Sequence, residues 1–100
     1  MINLDILIFA AHPDDAELGC GGMIASMIKQ GYKVGIVDLT EGEMGSRGTT
    51  KTRYEEARIA SEILGIHYRK NLQIADSIIK NNRANQAKII QEIRSTKPNI

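Results

Sequence analysis

Two hydropathy patterns alternate along the chain. Asp5 to Ala11 is a nearly continuous apolar run, the mark of a strand covered on both faces in a parallel sheet. Leu18 to Gln30 has apolar residues at 18, 23, 24, 27 and 28, a helical spacing, and Gly31 suits the position just past its end. Lys33 to Thr40, with Val34, Ile36, Val37 and Leu39, predicts a second strand. Strand, helix and strand over this length make a βαβ unit with its two strands as parallel neighbours. Glu41 to Thr50 contains Gly42, Gly45 and Gly48 and predicts a loop. It leaves the same sheet edge as residues 11–17, so it should border the same cleft. Thr49 or Thr50 can cap the next helix, which runs to Leu64 with Tyr54, Ala57, Ala60, Ile63 and Leu64 inward and ends at Gly65. Residues 66–72 predict a short third strand, and 73–82 a loop carrying Asp76. Arg83 to Ser95 predicts a third helix with Ala87, Ile90 and Ile93 on its inner face.

The fold class that follows is α/β: a Rossmann-like three-layer sandwich with a mostly parallel sheet, truncated after the third helix. Lys97 to Ile100 reads as a turn entering another strand, so the chain is expected to be the front part of a longer protein, residues 1–100 forming part of a single domain. One hundred residues at 42% hydrophobic content can bury a modest core, and disorder is not indicated. A net charge of +1 with no basic block leaves no electrostatic footprint for nucleic acid or a membrane surface. The single cysteine, Cys20, excludes an internal disulfide and fits a reducing compartment. Leu4 to Ala11 is too short to span a bilayer and lacks the basic flank of a secretory signal, so a cytoplasmic location is expected.

Ala11-His12-Pro13-Asp14-Asp15-Ala16-Glu17 puts an imidazole and three carboxylates at the carboxyl end of the first strand, where open α/β sheets bind ligands. His12 and Asp15 are suitable zinc ligands, and a tight turn can aim both at one ion. A catalytic zinc keeps three protein ligands and an open position, so at least one more ligand must come from elsewhere. Zinc brings the pKa of water to about 7 from about 16. Asp14, between the two ligands, could then act as general base. Pro13 stiffens the turn and biases His12 to an extended conformation. The chemistry such a set supports is metal-assisted hydrolysis.

Other readings compete. Asp14, Asp15 or Glu17 could simply cap the following helix, since carboxylates favour a helix N-terminus; Glu17 could equally support the metal ligands. A nucleotide-binding module without hydrolase activity is the chief alternative: Gly19, Gly21 and Gly22 follow the first strand, and Asp38 ends the second where a ribose-binding acid sits. The glycine fingerprint fails, because counting from Gly19 puts Ile24 at its last position, and three carboxylates crowd the place of the phosphates. His67 reads as an ordinary structural or surface residue and Cys20 as a core residue.

The segment from Ala11 to Glu17 resembles the signature of the LmbE-like, or PIG-L-like, zinc-dependent N-acetylglucosaminyl deacetylases. Val37-Asp38-Leu39-Thr40-Glu41-Gly42-Glu43, Gly45-Ser46-Arg47-Gly48-Thr49, Arg53-x-x-Glu56-Ala57 and Asn71-Leu72 are similar to stretches of the bacillithiol-biosynthesis branch. The resemblance implies a deacetylase that removes acetate from an N-acetylglucosaminyl conjugate, with a malate aglycone in that branch. It implies His12 and Asp15 as ligands of Zn2+, with Fe2+ able to use the same set, and Asp14 as general base. Arg53 would contact the aglycone, for which a guanidinium is suited to a carboxylate; Arg47 is a second candidate. The partner implied is a small-molecule N-acetylglucosaminide, with no nucleic acid or membrane, and the complete protein is expected to be a homo-oligomer. The family's third ligand is a histidine in a later His-x-Asp-His-like segment, which these hundred residues lack. Alone they are expected to be inactive.

Overall fold

The computed structural model describes residues 2–44, 48–76 and 79–100. Its elements are β1 (Ile6–Ala10), α1 (Asp15–Lys29), β2 (Val34–Asp38), α2 (Thr50–Leu64), β3 (Tyr68–Asn71) and α3 (Arg83–Thr96). The strands form one parallel sheet in the order β1-β2-β3. Ile6 lies opposite Val34 and Ala10 opposite Asp38, while Gly35 lies opposite Tyr68 and Asp38 opposite Asn71. On the far side of β1, the Leu7 N–H donates to the Ile100 carbonyl and the Asp5 carbonyl accepts from Asn99 and Ile100. All five residues of β2 are buried, as its unbroken apolar pattern requires of a central strand.

α1 and α2 cover one face. Ala10, Ala16, Ile24, Val34 and Ile36 form the core there, with Met27, Ile28, Leu64 and Ile66 packed around them. Leu4, Leu7 and Val37, with Phe9, Tyr68 and Leu72, line the other face, where α3 crosses. Successive crossovers that step in one direction must lie on one face if they share a hand, and the return past β1 must use the other. The expected three layers follow. Gly35 serves close packing in β2: a Cβ there would stand 2.5 Å from Leu4 Cδ1 and 3.1 Å from Tyr68 Cβ. Among the described residues no helix is long and apolar enough to cross a membrane.

α2 begins and ends as expected. The Thr49 side chain accepts from the Thr52 N–H, and the Gly65 N–H bonds to the Ser61 and Glu62 carbonyls. The inward faces differ from expectation. On α2, Ala57 is buried, but Tyr54 and Ile63 point to solvent. On α3, Ala87, Ile90 and Ile93 are exposed, and Glu92 and Thr96 turn to the sheet instead. The cause is polar: Glu92 accepts from the Tyr68 hydroxyl at 2.6 Å and pairs with Lys70 at 3.0 Å. Those two bonds satisfy the carboxylate that this orientation of the helix buries. α1 starts at Asp15, earlier than the apolar spacing indicated, and is interrupted by a non-helical Cys20 (φ −141°, ψ 24°). Leu18 is thereby left on the surface beside the cleft.

Candidate active site

β1 ends at Ala10, and the turn that follows buries Pro13 and brings His12, Asp14 and Asp15 to the carboxyl edge of the sheet. Asp14 adopts a left-handed backbone conformation (φ 83°, ψ −23°), uncommon for any residue but glycine. It occupies the N-cap position of α1, yet its side chain caps nothing. Asp15 does not cap either. Its Oδ2 turns back to accept from the His12 N–H at 3.1 Å and lies 3.3 Å from His12 Nδ1. Neither side chain makes a capping bond to the helix, although Asp15 lies in its first turn.

Glu17 leaves the cluster. It pairs with Arg69 at 3.2 Å, and Arg69 donates through Nε and Nη2 to the two oxygens of Asp38 at 2.8 and 3.1 Å. This network clamps α1 to β2 and β3 beneath the site. Burial pushes the Asp38 carboxyl up in pKa against the opposing pull of Arg69, with Glu17 and Asp15 adding to the rise. Both Asp38 oxygens are engaged and the residue is 2% exposed, so it cannot serve a ribose. The reading of Asp38 as a nucleotide-binding acid is corrected on that ground.

The loop after β3 supplies Asp76, to which the sequence assigned no role. Its Oδ1 lies 2.5 Å from His12 Nε2, and its Oδ2 accepts from the Met44 N–H at 2.9 Å. That N–H is the main influence holding the Asp76 carboxyl below the usual range; burial works against it, and His12 and Arg53 reinforce the lowering. No signal in the sequence pointed to Asp76, because it stands 64 residues from His12 on a segment without a motif. Only the parallel pairing of β1, β2 and β3 brings the two loops together.

His12, Asp14, Asp15, Arg53 and Asp76 line one open cleft of about 500 Å3, together with Pro13, Leu18, Gly42 and Met44. Gly42 makes room for Arg53. A Cβ at this position (φ 69°) would meet Arg53 Cδ and Nη1 at 3.3 Å. Arg47 lies outside the described residues. His67 is exposed and its Nδ1 accepts from the Val34 N–H at 3.2 Å, a structural use; Cys20 packs against the core. Among the described residues no group of three or more His, Cys, Asp or Glu is arranged to hold a metal ion.

A pair of ligands is nevertheless suggested. Bonds of about 2.0–2.1 Å put neighbouring ligands of a tetrahedral ion roughly 3.3–3.4 Å apart. His12 Nδ1 and Asp15 Oδ2 are 3.3 Å apart. An ionised Asp76 can only accept, so a neutral imidazole against it carries its proton on Nε2. In that tautomer Nδ1 presents a lone pair toward Asp15 Oδ2, a pair of acceptors that a cation between them would satisfy. The donor set fits a zinc ion in part, with two ligands of the three a catalytic site requires.

A histidine and carboxylates converge here at the carboxyl ends of parallel strands, the edge at which α/β domains bind ligands. Residues 7–100 match the model of the PIG-L family, described as GlcNAc-PI de-N-acetylase, and the chain belongs to that family. It is 43% identical over 72 residues to the uncharacterized deacetylase YaiS of Escherichia coli (strain K12), covering 72% of this chain and 38% of the relative. It is 30% identical over 102 residues to the diacetylchitobiose deacetylase of Thermococcus kodakarensis, covering 95% of this chain and 38% of that protein. The crystal structure of a conserved protein from Thermus thermophilus superposes with a TM-score of 0.89 at 45% identity, over 95% of this chain and 43% of the other. The chain thus spans less than half the length of the relatives it matches.

Proposed function

We propose that the full-length protein is a metal-dependent N-deacetylase acting on an N-acetylglucosaminyl conjugate, with the bacillithiol precursor N-acetylglucosaminyl-malate as its substrate. The observation that carries the metal reading is the 3.3 Å approach of His12 Nδ1 to Asp15 Oδ2, with Asp76 Oδ1 against the opposite nitrogen. Family membership supports the amide chemistry, and the diacetylchitobiose deacetylase likeness supports an acetylated amino sugar.

In this reading His12 and Asp15 hold zinc, or iron(II), and a third ligand comes from outside these hundred residues. When bound, the metal supplies Lewis acidity that polarises the acetamide carbonyl and makes hydroxide available near neutral pH. Asp76 fixes the imidazole's tautomer and orientation, the usual task of a carboxylate behind a ligating histidine. Asp14, which lines the cleft and is not spent on capping, takes the proton of the attacking water as general base. Arg53 binds the carboxylates of the aglycone at the Gly42 side of the cleft. Arg47 is a second candidate for that contact.

The test is free-amine release from the α-linked N-acetylglucosamine–malate conjugate by zinc-loaded and metal-stripped full-length protein. Metal-dependent release supports both parts of the proposal. Release only from simpler acetylated sugars keeps the chemistry and removes the malate. No release from any acetylated sugar by protein that holds zinc overturns the deacetylase reading.

A further inference from the structure

Glu43 does not line the cleft, yet its carboxylate crosses to the loop after β3, where Glu43 Oε2 accepts from the Asp76 N–H at 2.9 Å. In return, the N–H of the next residue, Met44, donates to Asp76 Oδ2 at 2.9 Å. The loops leaving β2 and β3 are thus joined by two reciprocal bonds, each running from the main chain of one to a side chain of the other. The oxygen of Asp76 that the clasp leaves over, Oδ1, is the atom against His12 Nε2. Glu43 holds the Asp76 backbone, Met44 one carboxylate oxygen and His12 the other. A short carboxylate on an irregular segment would otherwise lose backbone and side-chain entropy each time it met the imidazole.

We propose that Glu43 is a positioning residue: by accepting the Asp76 N–H it keeps the Asp76 carboxylate seated on His12. What Glu43 contributes is an acceptor oxygen at the right reach. Its charge is not required, which separates this role from that of an acid, a metal ligand or a group binding a cationic substrate. The consequence for metal affinity rests on the proposed function above; the clasp itself does not.

The experiment compares Glu43→Gln and Glu43→Ala with wild type in the full-length protein. Hydrogen exchange of the Asp76 amide is measured without metal, and zinc affinity by competition with a chelator. Glu43→Gln keeps an acceptor oxygen and should stay within about threefold of wild type in both. Glu43→Ala should expose the Asp76 amide to exchange at least tenfold faster and weaken zinc binding about tenfold, the low end of the effect of losing an outer-sphere partner. Unchanged Asp76 exchange in Glu43→Ala overturns the proposal, and so does faster exchange with unchanged zinc affinity, because the carboxylate would then stay on His12 without Glu43. So does a Glu43→Gln variant as impaired as Glu43→Ala, because charge would then be the operative property. A wild type that binds no zinc defeats the metal reading, while Asp76 exchange still decides the clasp.

Discussion

At the scale of single residues, neighbouring aspartates receive different work from one backbone angle. The left-handed conformation of Asp14 starts α1 so abruptly that its side chain misses the helix amides and remains on the cleft, while Asp15 folds back on His12. Such strain is held in place by the surrounding turn and is common at working sites. Asp14→Asn in the full-length protein should therefore retain zinc while turnover falls by at least about 10^2-fold, the ordinary range for losing a general base. Asp15→Asn should lose zinc and turnover together. Metal content by atomic spectroscopy beside initial rates separates the two, and full activity in Asp14→Asn would remove it from the mechanism.

Ionic contacts join the elements alongside apolar ones. Arg69 ties β3 to β2 and α1 through Asp38 and Glu17, with each of the three side chains no more than 14% exposed. Arg69→Ala would leave two carboxylates buried together without their cation, at a cost of about 3–5 kcal/mol. Denaturant unfolding reads this directly, and a loss below about 1 kcal/mol would mean that the network is hydrated. On the opposite face, Tyr68 donates to Glu92, and burial followed by that carboxylate pushes its pKa up from 10.0 to about 12. The unfolded chain thus releases the Tyr68 proton at lower pH than the folded one. Its contribution is complete below about pH 10 and is lost as pH rises toward 12. Tyr68→Phe should flatten this alkaline loss of stability, measured as melting temperature against pH.

For the molecule as a whole, the site lies where β1 faces β2 on one side and the Asn99–Ile100 segment on the other, at the carboxyl edge where the connections diverge. A ligand that binds only the folded state stabilises it by mass action, by about 2.7 kcal/mol at a hundred times its dissociation constant. Zinc should accordingly raise the melting temperature of the full-length protein and a chelator should reverse the gain. NAD should leave it unchanged, since the carboxylates fill the place of the phosphates and Arg69 occupies Asp38. A rise with NAD and none with zinc would restore the nucleotide-binding reading.

Local chemistry, by itself, determined the strands, the helix caps at Thr49 and Gly65, and the grouping of His12, Asp14 and Asp15. These features depend on residues within a few positions of one another, where apolar runs, capping side chains and a tight turn act directly. The inner faces of α2 and α3 were not legible in that way. Tyr54 and Ile63 satisfied a helical period yet face water, and the inner face of α3 was settled by Tyr68 and Lys70 on another element. Glu17 likewise looked like part of the cluster until Arg69 reached it across the sheet. Asp76 met His12, and Glu43 met Asp76, only because parallel pairing brought three distant loops to one edge. Periodicity records which residues are apolar, but which of them are covered, and which polar groups find partners, depends on what the other elements present.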